Sequence, residues 1–282
     1  MDAASFSIKK HSMPEPSWFD LLSLTSLRIR ATLNRRFRTT EARLGKRIGS
    51  QSTHGCKLNL TKRTELRRIP DRGSHESETI NEILDAGFLA HVGFCLDGQP
   101  FVIPTLYGRD RERLYLHGSA VSRMLRELET GIPACVTVTL VDGLVLSRSA
   151  FDHSMNYRSV VAFGTARKIT DPGQKIKSLR AISEHLIAGR WEDVRGPSEK
   201  ELKATTVLEF SIEEASSKVR SGPPLDDESD YGLPVWAGVL PLEMKSGPPI
   251  PDDRLIEGVS FPDYVRRFDV RLNRGAGHMS NG

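Results

Sequence analysis

Two Asp-Gly pairs, each set between runs of apolar and β-branched residues, constrain this chain more than any other feature. The first joins "FLAHVGFCL" to "QPFVIPTLYG" through Asp97 and Gly98; the second joins "ACVTVTLV" to "LVLSRS" through Asp142 and Gly143. Asp-Gly supplies the positive φ that a two-residue turn demands, so both predict antiparallel hairpins. Further strands are expected at "RLYLHGS", "YRSVVAFGTARKI", "TTVLEFSI" and "LPVWAGVLPL". Single helices fall between them. "SETINEILDAG" offers Ser77 as N-cap and Gly87 as stop, and "SRMLRELETG" offers Ser122 and Gly131. "QKIKSLRAISEHLIAG" follows an Asp171-Pro172-Gly173 turn and places Ile176, Leu179, Ile182 and Leu186 on one face. Six or seven hairpin-linked strands with helices inserted singly do not alternate as βαβ units. The expectation is a mainly β fold with inserted helices, an antiparallel barrel closed so that no long edge is bare. No GxGxxG follows a strand and no GxxxxGK[ST] occurs, which removes the Rossmann and P-loop devices.

Charge divides the chain. Residues 1–63 hold thirteen Lys or Arg against four acids, a surplus of +9, and the total of +4 leaves −5 for residues 64–282. The basic character therefore belongs to an N-terminal extension with little apolar density. That extension reads as a disordered tail, a translated upstream segment, or a transit or nucleic-acid arm. The body gives no ground for nucleic-acid binding. The expected division is 1–63 extension, 64–245 folded domain and 246–282 Pro/Gly-rich tail. No window approaches the roughly 20 apolar residues of a membrane span, and a cytoplasmic protein is expected. Cys56, Cys95 and Cys135 lie far apart without a CxxC pair, so neither disulfide nor metal site is implied.

Three polar clusters stand out. Ser119, Ser122 and Arg123 gather where a strand gives way to a helix, an arrangement suited to phosphate or to plain capping. Tyr157, Arg158 and Ser159 sit at the mouth of the strand "VVAFG" with further donors before them. Lys218 and Arg220, two apart, face one side of an extended segment; Trp236 adds a flat ring near a Gly. Taken singly, each also reads as a cap, a solvated edge or a core ring.

The segments "RRIPDRGSHE", "DGQPFVIPTLYG", "LYLHGSAVSRML", "HSMNYRSVVAFG", "GRWEDVR", "KVRSGPP" and "LPVWAGVLPL" resemble the pyridoxamine 5′-phosphate oxidase-like flavin-binding proteins, in particular their nitroimidazole-resistance (NimA-type) branch, from about Arg67 to Leu242. The resemblance implies an FMN-binding split β-barrel, a homodimer with FMN at the subunit interface. It places the flavin ring along Val102, Ile103 and Thr105, and the phosphate at Ser119, Ser122 and Arg123. Tyr157, Arg158, Ser159, Lys218, Arg220 and Trp236 complete the site, some from the second subunit, and His117 stands beside the flavin as the catalytic candidate. The implied activity is that of an FMN-dependent oxidoreductase, passing electrons from a donor such as NAD(P)H to a small electron-poor, nitroaromatic-like acceptor. A non-catalytic flavin or haem carrier is the alternative, with His117 or His153 as axial candidates. Two departures stand against the pattern: His75 and Glu76 replace an expected Tyr-Asp after "RGS", and the arginine-rich C-terminal signature of true pyridoxamine phosphate oxidases is missing.

Overall fold

The first Asp-Gly pair turns as its composition requires. Asp97 and Gly98 have φ of 51° and 80°, the two positive values of a tight hairpin turn, and they fix the register Leu96 to Gln99 between β2 (Leu89–Leu96) and β3 (Gln99–Leu106). In this computed structural model residues 63–64 and 72–268 are described. They belong to a unit spanning His54–Gly282, and the expected extension lies almost wholly outside them. A two-residue strand, β1 (Gly73–Ser74), and helix α1 (Ser77–Ala86) precede the hairpin. Ser77 is the first helical residue, with Glu76 at the N-cap.

β4 (Gly108–Asp110) and β5 (Arg113–Ser119) lead into the short α2 (Arg123–Leu128). The long strands β6 (Ala134–Leu146) and β7 (Ser154–Lys168) follow, then α3 (Pro172–Leu186), whose N-cap Asp171 accepts from the Gln174 N–H. After α4 (Arg190–Asp193) and α5 (Glu199–Ala204), β8 (Thr205–Arg220) runs the length of the sheet. β9 (Gly238–Pro241) and α6 (Asp263–Arg266) complete the elements.

The second Asp-Gly pair does not turn. β6 passes straight through Asp142 and Gly143, and the mismatch is absorbed as an irregularity between Val141 and Gly143 in the ladder with β7. Two partners explain this: β7 continues past the site on one edge, and β9 takes up the other edge from Gly143 onward, with the Leu242 N–H donating to the Asp142 carbonyl (3.1 Å), so the strand bulges where it would otherwise reverse.

All pairings are antiparallel, in the order β3-β2-β6-β7-β8-β5-β4, with β1 added to β8 and β9 to β6. The sheet is open, which corrects the expected barrel. β3 pairs with β2 alone and β4 with β5 alone, and among the described residues no ladder joins the two ends. Pro100 and Pro104 offer no N–H to a further strand, and proline is tolerated where a strand forms an edge. The chain passes from one end of the strand order to the other through a single residue, Tyr107. Its buried hydroxyl donates to the Leu84 carbonyl (2.6 Å), and its ring lies 4.7 Å from that of His185.

One face of the sheet carries the main core, where Ile80, Ile83 and Leu84 of α1 and Met124, Leu125 and Leu128 of α2 pack on Val92, Val136, Val160 and Phe210. α3 covers part of the other face, closing Ile182 over Tyr115, Ile169 and Val207. The segment from Ser246 onward runs back against the end of α3, where Leu186, Ile187, Pro248, Phe261 and Val265 line a cavity of about 690 Å³. Leu89, Val102 and Val141 are exposed on the outer face of β2, β3 and β6. Among the described residues no helix is long and apolar enough to cross a membrane.

Candidate functional site

The sheet separates the predicted residues into two groups. Ser119 pairs with Thr205 at the start of β8, whereas Lys218 and Arg220 stand thirteen and fifteen residues further along that strand. The first group gathers at the unpaired edge of β3. The Arg123 guanidinium lies 5.7 Å from the centre of the Phe101 ring, which brings α2 alongside the strand that holds Val102, Ile103 and Thr105. An edge strand leaves a row of backbone N–H and C=O groups without partners, and β3 is such an edge in the strand order. Ser122 caps α2 without using its hydroxyl, while the Ser119 hydroxyl accepts from the Val121 N–H at 3.4 Å. Arg123 is exposed and forms no ion pair among the described residues. His117 precedes Ser119 by two residues and so shares its side of β5. Its Nδ1 is buried without a hydrogen-bond partner, and burial lowers its pKa from 6.5, keeping the ring neutral at pH 7.

The second group lies at the far end of β7 and β8. Tyr157 faces Arg220, Ser159 faces Lys218, and Lys218 also pairs with Gly73 of β1. Arg220 is 5% exposed, and no carboxylate pairs with it among the described residues. Its guanidinium donates to the Asn156 side chain and to the carbonyls of Gly222 (3.3 Å) and Pro223 (3.2 Å), and its Nε has no partner. Burial, and then repulsion from Arg72, pull its pKa down. Arg220 is thus a buried cation near a second cation, Arg72, with one buried donor left unpaired, which costs desolvation without full compensation. Trp236 is 67% exposed, with its ring packed over Gly238.

Arg158 occupies a different position from its neighbours. Its Nε and Nη2 grip the two oxygens of Asp142 at 3.0 and 2.7 Å, and both side chains are largely buried. This bidentate pair crosses from β7 to the irregular point of β6, so Arg158 is engaged within the fold. His153 donates from Nδ1 to the Ser149 carbonyl at 2.9 Å in the exposed turn before β7. Among the described residues no cluster of His, Cys, Asp or Glu has the makings of a metal site.

A residue that sequence reasoning passed over, His91, lines a second cavity, of about 230 Å³, together with Leu89, Leu140, Val141, Leu242 and Met244. The strict in-out alternation of "LAHVGF" was the available signal.

The model of the family described as pyridoxamine 5′-phosphate oxidase matches residues 76–219. Among solved structures, the flavocytochrome Anf3 from Azotobacter vinelandii is 44% identical over 73% of this chain and 96% of its own, with a TM-score of 0.69. An FAD- and haem-binding protein from Mycobacterium smegmatis is 38% identical over 69% of this chain and 96% of its own, with a TM-score of 0.67. No curated protein matches the chain.

Proposed function

Because the chain belongs to the pyridoxamine 5′-phosphate oxidase family, we propose that it is a flavin-carrying redox protein that also holds a haem. The observation that carries this reading is the 44% identity to a flavocytochrome along nearly the whole of that protein. The second is the 38% identity to a protein that binds FAD and haem.

The donor set fits a flavin nucleotide. The bare edge of β3 offers backbone groups to the ring system, and Ser119, Ser122 and Arg123 offer hydroxyls and a free charge to a phosphate. Arg220, with its orphaned Nε, and Lys218 offer a second cationic patch. Lys218 stands thirteen residues along β8 from Thr205, the partner of Ser119, which is roughly 40 Å of strand at the usual rise. The second patch of one copy therefore serves the β3 edge of another, and the site is completed in a homodimer.

When bound, the flavin supplies two-electron and the haem one-electron chemistry. The protein's own part is positional and electrostatic. Neutral His117, two residues from Ser119, places an uncharged ring nitrogen beside the nucleotide, able to hold or release one proton. Electrons enter from an external reductant such as NAD(P)H and leave to a small electron-poor acceptor. We favour FAD over the FMN expected from sequence, following the M. smegmatis relative. Chromatography of the nucleotide released on denaturation is expected to give FAD in about one equivalent per chain. Release of FMN would reverse the choice of nucleotide, and failure to take up any flavin would overturn the reading.

A further inference from the structure

A haem requires a donor atom that stands free at the wall of an apolar slot. Resting on the haem part of the reading above, we infer that His91 is the axial ligand.

His91 owes its position to the alternation of β2. Ala90 and Val92 are fully buried in the main core, so Leu89 and His91 project from the opposite face, where both are exposed. There His91 opens onto the cavity of about 230 Å³, whose remaining walls are mainly apolar: Leu89, Leu140, Val141, Leu242 and the Met244 side chain. The imidazole makes no hydrogen bond or ion pair among the described residues, so both ring nitrogens are available. The other described histidines are placed differently. His185 is held by Nε2 to the Gly87 carbonyl and by Tyr107, and His75 by Nε2 to the Thr64 carbonyl. His153 is tied to its own exposed turn, and neither it nor His117 lines this cavity.

The volume sets a further condition. Small-molecule sites enclose about 300–1,000 Å³, so the cavity of one chain covers only part of a porphyrin. Its rim is apolar and open, with Leu89 at 45%, Val141 at 44% and Met244 at 60% exposure. The rest of the enclosure comes from a second copy, in keeping with the homodimer proposed for the flavin. The polar floor of the slot is the Arg158–Asp142 pair, already closed on itself.

The test uses the full chain titrated with haemin, with FAD content and the melting curve as controls for folding. Wild type should show a sharp Soret band and an electron paramagnetic resonance spectrum of histidine-ligated haem. His91→Ala should shift the Soret band and weaken haemin binding by more than the roughly 10- to 100-fold that loss of a ligand's supporting contact costs, with FAD retained. His117→Ala and His153→Ala should keep the wild-type Soret band and haemin affinity. His91→Gly should regain it on addition of free imidazole, which a merely structural role for His91 would not allow. An unchanged spectrum and affinity in His91→Ala, or the absence of imidazole rescue, would overturn the assignment while leaving the haem reading in place. Wild-type protein that takes up FAD but never haemin would overturn both.

Discussion

Asp142→Ala is expected to destabilise the fold by about 3–5 kcal/mol, the usual cost of stripping the partner from a buried ion pair. Asp142 holds both Nε and Nη2 of Arg158, and the two side chains are 17% and 9% exposed. Without the carboxylate the guanidinium keeps its desolvation cost and loses most of its compensation. For a domain of this size the change corresponds to a fall in melting temperature of roughly 6–20 °C. The double variant Asp142→Ala/Arg158→Met should recover much of the loss, because replacing both charges by apolar groups is often neutral. Thermal melts of the two variants decide it: a loss below about 1 kcal/mol in Asp142→Ala would mean that the pair is solvated and not part of the frame.

Arg123→Ala should leave the melting curve nearly unchanged and weaken flavin binding about 10- to 150-fold. The range follows from roughly 1.5–3 kcal/mol for a charge-assisted hydrogen bond to phosphate. Arg123 is suited to this test because it is exposed, touches Phe101 beside the β3 edge and is committed to no carboxylate among the described residues. Flavin fluorescence titrations of wild type and variant at one ionic strength give the comparison, since screening would otherwise blur it. Wild-type affinity in Arg123→Ala would remove the phosphate from this end of β5.

The contrast between these two arginines shows what the sequence could and could not reveal. Each sits beside serines at the end of an apolar strand, and from composition they are equivalent. Only the ladder between β6 and β7 brings Asp142 within reach of Arg158. That ladder exists because the second Asp-Gly pair bulges and does not turn. Local turn chemistry was the same at both Asp-Gly pairs, and the outcome differed because β9 arrives from almost a hundred residues away to pin the second one. Helices α1, α2 and α3 were legible from their periodicity, whereas the short α4, α5, α6 and β4 were not, and the long strands were legible in place though β7 and β8 run longer than their apolar stretches suggest and β6 is one strand where two were expected.

Closure of the sheet was not legible. Whether β3 meets another strand depends on the path of the whole chain, and the prolines at 100 and 104 gave only a local hint. The family was legible because its motifs are local. The separation of its donors along β8 is a long-range fact, as is the cavity beside His91. That histidine looked ordinary in "LAHVGF" because its free nitrogens matter only once Leu242 and Met244 are folded against it.

Whether one chain carries two redox groups is tested most directly by the absorbance spectrum of protein purified from haem-replete cells and incubated with FAD. The predicted spectrum contains flavin bands together with a Soret band, and both respond when a reductant is added. A protein that shows flavin bands alone after incubation with haemin, or remains colourless after incubation with both, would contradict it.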